Sequence, residues 1–226
     1  MGSRRRRRAQ VYLAFAAGIA ILLVVAYLSS QGGNEKPVII YVNQGNGAVG
    51  ESNFAQMLGF ASSHGFNTVF FQIYRGGALL FSGNELSYFV TQAHSQHLKL
   101  FFALYVTNAS QTVPGSIMGL GEDGISLDVS TIGLTAQESL LNSLSPCHCR
   151  TAVTTTNMDS PLKPDILVLE TYGAGLEQYI RPGIVGSVGV FATSSQADYQ
   201  QQLQYALNNS DGVMVFDYAG LLKAGY

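Results

Sequence analysis

The sequence predicts an α/β chain: a parallel (β/α)₈ TIM-like barrel, its last helix missing or vestigial, preceded by one transmembrane helix. Three observations carry this. Eight short β-rich runs follow one another along the chain. Amphipathic, helix-spaced stretches separate most of them. A long uncharged segment stands ahead of them all. Strand–helix alternation implies parallel strands joined by right-handed crossovers. Eight such units favour closure into a barrel over an open doubly wound sheet, which is the alternative arrangement.

Five consecutive arginines, Arg4 to Arg8, end a basic tail over residues 1–10. Residues 11–28 then run without a charge or a proline. As a helix rising 1.5 Å per residue they extend about 27 Å, close to the thickness of a hydrocarbon core. A cationic flank stays on the cytoplasmic side, so this segment reads as a signal-anchor that sends the rest of the chain out of the cytoplasm. The rival is a cleaved signal peptide, whose apolar region is shorter and ends at a small-residue site. Ala26-Tyr-Leu-Ser29 fits such a site poorly, and both readings export the domain. Residues 29–36 are small and polar and form a linker. Residues 37–226 are enough for one domain with its own core.

The β-rich runs are 38–43, 68–74, 99–107, 124–129, 151–157, 165–171, 187–193 and 212–218. Val, Ile, Phe, Tyr and Thr dominate them. Most are apolar on both parities, as strands buried on two faces must be. Phe54, Met57, Leu58 and Ala61 recur at helical spacing in 53–64, as do Leu86, Phe89, Val90 and Ala93 in 84–97. Residues 135–144 and 197–207 are of the same kind. Asn53, Asn84 and Thr135 are the expected N-caps. Residues 158–164 are too short for a helix. After the eighth run only 219–226 remain, which leaves the final helix missing or vestigial. The domain, about 190 residues, also falls below the usual ~250 of this fold.

Composition narrows the function. The chain has 12 basic and 14 acidic residues. Without the five N-terminal arginines that leaves 7 against 14, a net charge of −7, which argues against a nucleic-acid partner. No Gly-x-Gly-x-x-Gly follows the first strand and no Walker motif occurs, so no nucleotide cofactor is expected. Gly-x-Ser-x-Gly and His-Glu-x-x-His are absent too. Cys147-His148-Cys149 holds both cysteines of the chain, too few donors for a closed zinc site. It reads as incidental thiols in a loop or as a local disulfide. His94 and His97 lie on a helix and read as solvated surface residues. No metal is expected. Asn108-Ala-Ser110 and Asn208-Asn-Ser210 fit the glycosylation pattern, which is common by chance.

Ligands of parallel barrels bind at the C-terminal strand ends. Polar residues gather there: Asn43 after the first run, Tyr74 and Arg75 after the second, Tyr105 in the third, Asp128 in the fourth, Glu170 and Tyr172 in the sixth, Asp217 in the eighth. By alternation Ser126 and Asp128 share a face, as do Ile166, Val168 and Glu170, and Val213, Val215 and Asp217. If these faces point inward, three carboxylates rise toward the mouth. Strands four and six lie roughly 10 Å apart at the backbone. Inward-leaning side chains then reach the ~5–9.5 Å separation used in glycoside hydrolysis, in which one acid protonates the leaving oxygen and the other attacks the sugar or activates water. Tyrosines offer a flat apolar face and a hydroxyl to a sugar ring.

Asp123-Gly-Ile-Ser-Leu-Asp128 resembles the fourth-strand signature of small glycoside-hydrolase barrels. Pro164-Asp-Ile-Leu-Val-Leu-Glu170, with Tyr172 soon after, is similar to the sixth-strand segment of the spherulin-4 and polygalactosaminidase-like group. Val190-Phe-Ala-Thr-Ser-Ser195 through Gly212-Val-Met-Val-Phe-Asp217 resembles that group's last βαβ unit, and Gly65-Phe-Asn-Thr-Val-Phe70 the second strand of several glycosidase barrels. The resemblance implies a barrel acting on an extracellular amino-sugar polysaccharide, with Asp128 and Glu170 as the catalytic acids. The chain departs from it in three ways. Val129 follows Asp128 where some relatives have a second acid, Ser130 stands where a chitinase-like version has Glu, and the chain has no tryptophan.

Two readings of function follow. The first is a membrane-anchored glycoside hydrolase using Asp128 and Glu170, assisted by Asp217, with Asn43, Tyr74, Arg75, Tyr105 and Tyr172 positioning sugar. The second is a non-catalytic cell-surface module that binds glycan or protein through the same mouth. A weaker third is a partner subunit in a membrane complex, docked where the last helix is absent.

Overall fold

The computed structural model describes residues 35–45, 49–170, 172, 176–189 and 195–226. The basic tail, the apolar segment 11–28 and almost all of the linker lie outside the described residues. Among the described residues no helix is long and apolar enough to cross a membrane.

Eight parallel strands close on themselves. They are β1 (Val38–Val42), β2 (Thr68–Arg75), β3 (Lys99–Tyr105), β4 (Gly124–Asp128), β5 (Arg150–Thr155), β6 (Ile166–Leu169), β7 (Val185–Gly189) and β8 (Val213–Phe216). Each pairs with its sequence neighbour, and β8 and β2 both pair with β1. The β1–β8 pairing closes the barrel and excludes the open doubly wound sheet. A two-residue antiparallel spur, Ala78–Leu79, hangs on the end of β2.

Two apolar layers sandwich the strands. Outward residues such as Val69, Phe71, Leu100 and Ile125 pack against helices, while Ile39, Phe70, Phe101, Ile166 and Met214 fill the barrel's interior. Continuous apolar runs therefore become strands buried on both faces. Phe70 and Phe101 pack side by side inside, their tilted rings 5.1 Å apart at the centroids. Gly124 begins β4 without a side chain because a Cβ there would strike the Phe101 ring.

The helices are α1 (Glu51–Ser63), α2 (Gly83–Ser95), α3 (Leu134–Ser143), α4 (Gln196–Asn209) and α5 (Tyr218–Ala224). Among the described residues the helix ring is incomplete. A single 3₁₀ turn, Gly115–Ile117, replaces the helix between β3 and β4, and Leu176–Gln178 is the 3₁₀ turn between β6 and β7. No helix joins β5 to β6, as the sequence suggested. The last helix, expected to be missing or vestigial, does form: seven residues of α5, with Leu221 in the outer core.

The N-caps are not the expected ones. Gly50 caps α1, and Asn53, three residues on, turns its side chain back to accept the Gly50 N–H at 2.8 Å. Ser82 caps α2 in a reciprocal box with Glu85, and Gly133 rather than Thr135 precedes α3. The cysteines are joined as a Cys147–Cys149 disulfide. His94 is half exposed and meets Asp123 at 2.8 Å.

Candidate active site at the barrel mouth

The upper interior of the barrel is polar. A cavity of about 280 Å³ opens at the C-terminal strand ends. Asp128 and Glu170 line it, and so do Asn43, Arg75 and Tyr105. Alternation places both acids correctly. Ile125, Leu127 and Val129 face the outer core, which leaves Ser126 and Asp128 inward. Ile166 and Val168 belong to the inner cluster, so Glu170, two residues on, emerges above it.

The acids meet through one hydroxyl. Ser130 Oγ donates to Glu170 Oε2 at 2.6 Å and lies 3.3 Å from Asp128 Oδ1. The two carboxylate oxygens flanking it are therefore no more than about 6 Å apart, at the short end of the range for paired glycosidic acids. A serine hydroxyl has one proton to give. The short contact uses it on Glu170. The longer contact leaves Asp128 Oδ1 as a second acceptor facing the same hydroxyl.

Electrostatics favour a proton on Asp128. Asp128 is almost fully buried. Burial, and next the charge of Glu170, push its carboxyl up to about 7 from an ordinary 3.8, against smaller opposing hydrogen bonds from Ser130 and Tyr41. Tyr41 Oη lies 3.5 Å from Asp128 Oδ2. Tyr172 donates to Glu170 Oε1 at 2.9 Å. Burial, followed by the nearby carboxylates, raises both phenols well above their usual range, so both stay protonated donors.

Two expected site residues lie elsewhere. A register shift between Gln72 and Tyr74 marks a bulge in β2. Ile73 and Tyr74 consequently both join the outer core, and Tyr74 is buried away from the mouth. Asp217 does not line the cavity. It precedes α5 as its N-cap, accepting the Gly220 N–H at 2.9 Å. The strand register explains this. Met214 and Phe216 pair with Ile39 and Tyr41 of β1, so Met214 lies in the inner cluster with Phe216 packed against it, while Val213 and Val215 face outward.

Sequence reasoning missed Tyr41, Gln72, Ser130, Thr131 and Phe216 as lining residues. Gln72 was detectable as the one amide in the Thr-Val-Phe-Phe-Gln-Ile-Tyr run, at an inward parity. Ser130 is marked in the sequence only by standing where a chitinase-like version has Glu. A second cavity, about 550 Å³, lies at the opposite end of the barrel. Its charged lining is exposed or already engaged: Lys36 reaches the carbonyls of Leu207 and Ser210, and Asp165 holds Thr151. Clefts at that end of a parallel barrel are not where ligands react.

No family model and no curated protein matches this chain. Solved structures do. A xylanase-A-amylase inhibitor protein aligns with a TM-score of 0.55 at 12% identity, over 85% of this chain and 96% of its own. The GH18 chitinase ChiB from the chitin utilization locus of Flavobacterium johnsoniae aligns with 0.51 at 11% identity, over 83% and 89%. The Bacillus cereus spore cortex-lytic enzyme SleL aligns with 0.50 at 12% identity over 69% of this chain. The chain spans 51% of SleL's length, and 65% of an uncharacterized B. cereus protein that also aligns. The shared feature is the fold, a parallel eight-stranded barrel.

Proposed function

We propose that the chain is a glycoside hydrolase acting on an extracellular amino-sugar polysaccharide, in the manner of the spherulin-4 and polygalactosaminidase-like group. The observation that carries this is the Asp128–Ser130–Glu170 arrangement, one acid that retains its proton near neutral pH beside one that accepts hydrogen bonds. The separation suits a retaining reaction. Glu170 attacks the anomeric carbon as the glycosidic C–O bond breaks, and the Asp128 proton passes to the leaving oxygen. Water then attacks the glycosyl–Glu170 ester and returns a proton to Asp128. Tyr105 and Asn43 stand at the rim to orient the sugar.

One observation favours a second reading. Both Glu170 oxygens already accept hydroxyl donors, from Ser130 and Tyr172, which blunts a nucleophile. The same mouth would then hold a glycan or a protein without cutting. That the barrel of an inhibitor protein is of similar size supports this alternative. Incubating the purified domain, residues 35–226, with amino-sugar polymers and following new reducing ends separates the two. Release by the wild type and none by Glu170→Gln supports the hydrolase. Saturable binding without release supports the binding module.

The tether is part of the proposal. Residues 11–28 would anchor the chain with the domain outside the cytoplasm. In its favour, Lys36 and Pro37 lead into the N-terminal end of β1, so the mouth opens at the end of the barrel away from the linker. Alkaline extraction of membranes from cells expressing the full chain should leave it in the pellet, and deletion of residues 1–28 should release it.

A further inference from the structure

Arg75 is placed in the mouth by a local departure from strand regularity. Simple alternation along β2 would send Thr68, Phe70, Gln72 and Tyr74 inward and Arg75 outward. The bulge between Gln72 and Tyr74 resets the phase, so Gln72 and Arg75 both line the cavity. Bulges beside active sites commonly re-aim a side chain in this way. The guanidinium is then held on two sides. Its Cζ lies 5.9 Å from the centre of the Tyr105 ring, within cation–π range. On the other side it packs so closely on Gly45 that a Cβ there would collide with it.

Among the described residues this positioned cation has no carboxylate within ion-pair distance. Register puts Arg75 opposite Tyr105, and Tyr105 opposite Asp128. Arg75 and Asp128 are thus separated by the width of two strand spacings, roughly 10 Å at the backbone. A sugar ring reaching Asp128 and Glu170 would present its other edge to Arg75.

We propose that the mouth is built for a sugar bearing a carboxylate, held bidentately by the Arg75 guanidinium. A guanidinium fork matches a planar carboxylate as an ammonium cannot. The proposal rests on the reading of the mouth as a glycan pocket and adds the chemical class of the sugar. Asp128, protonated near neutrality, leaves Glu170 as the main negative charge facing such a ligand.

The test is binding, read without turnover. Titrate the domain by calorimetry with a tetragalacturonate, a hyaluronan tetrasaccharide and their carboxyl-methylated counterparts. At least one free acid should bind about tenfold or more tighter than its ester. That preference should weaken with added salt, fall to within twofold in Arg75→Gln and return only in part in Arg75→Lys. Equal affinity for acid and ester, no binding of any of the four, or a preference that survives Arg75→Gln would overturn the proposal. The hydrolase reading fails separately. A domain that prefers the acids but releases no reducing ends from any polymer contradicts hydrolysis alone. One that cleaves neutral amino-sugar polymers without preferring the acids contradicts the carboxylate subsite alone.

Discussion

The lower and upper halves of the barrel interior are made by the same strands and do opposite work. Below, Ile39, Phe70, Phe101, Ile166 and Met214 form a dry plug. One or two inward positions higher, the strands carry Gln72, Tyr105, Asp128 and Glu170 around a cavity. The plug is apolar and side-chain dense, so it fixes the spacing of the strands. The mouth inherits that spacing and uses it to hold two acids about one hydroxyl apart. Between the halves sit Ser126 and Thr154, whose hydroxyls have no partner among the described residues. The contrast teaches that stability and chemistry are divided by height within the barrel, so damage to either half should have its own signature.

The largest expected effect is in the upper half. Glu170→Gln should lower release of reducing ends by on the order of 10²–10⁴-fold, with the thermal midpoint little changed. If the midpoint collapses as well, the division by height fails. In the lower half Phe101→Ala should cost about 3–5 kcal/mol of unfolding free energy in a denaturant titration, because its ring is fully buried against Phe70. Activity per folded molecule should survive that change better than stability does.

Asp128 belongs to both halves of the comparison. Its folded carboxyl is raised to about 7 from an ordinary 3.8. The folded chain therefore holds this proton through a pH range in which the unfolded chain has lost it. The stabilisation is fully present below about pH 4 and is lost as pH rises toward and through 7. Asp128→Asn removes this titration, so the stability of the variant relative to wild type should improve between pH 4 and 8. The same substitution should abolish the fall in activity above neutral pH along with most of the activity. The smallest effect is expected at Asp217. Replacing this N-cap with Ala should cost about 0.5–2 kcal/mol and leave the pH profile of activity unchanged in shape.

Much of this architecture was legible from the residues. The eight runs, the missing helix after β5 and the inward facing of Asp128 and Glu170 all follow from period and parity. The mouth was legible where one parity of a strand is marked by polar side chains, as in Ile-Ser-Leu-Asp128. It was illegible in β8, where Val213, Met214, Val215 and Phe216 are apolar on both parities and pairing with β1 decides which faces in. The β2 bulge was hidden for a related reason: Ile73 and Tyr74 both suit the outer core, and nothing local announces that they share it. Ser130 joins Glu170 across forty positions in sequence, a contact that only closure of the barrel creates. Gly50 and Gly133 offer no side chain to signal a cap, whereas Ser82 with Glu85 three residues on does spell a capping box, two positions before the expected Asn84.

The central claim is that the mouth holds its proton on Asp128 because of burial and the charge of Glu170. Carboxyl carbon NMR of the domain, followed from pH 3 to 9, reads this directly. The account expects Asp128 to titrate with a midpoint near 7, and the midpoint to fall in Glu170→Gln. An Asp128 midpoint near 4 in the wild type, unmoved by that substitution, would contradict it.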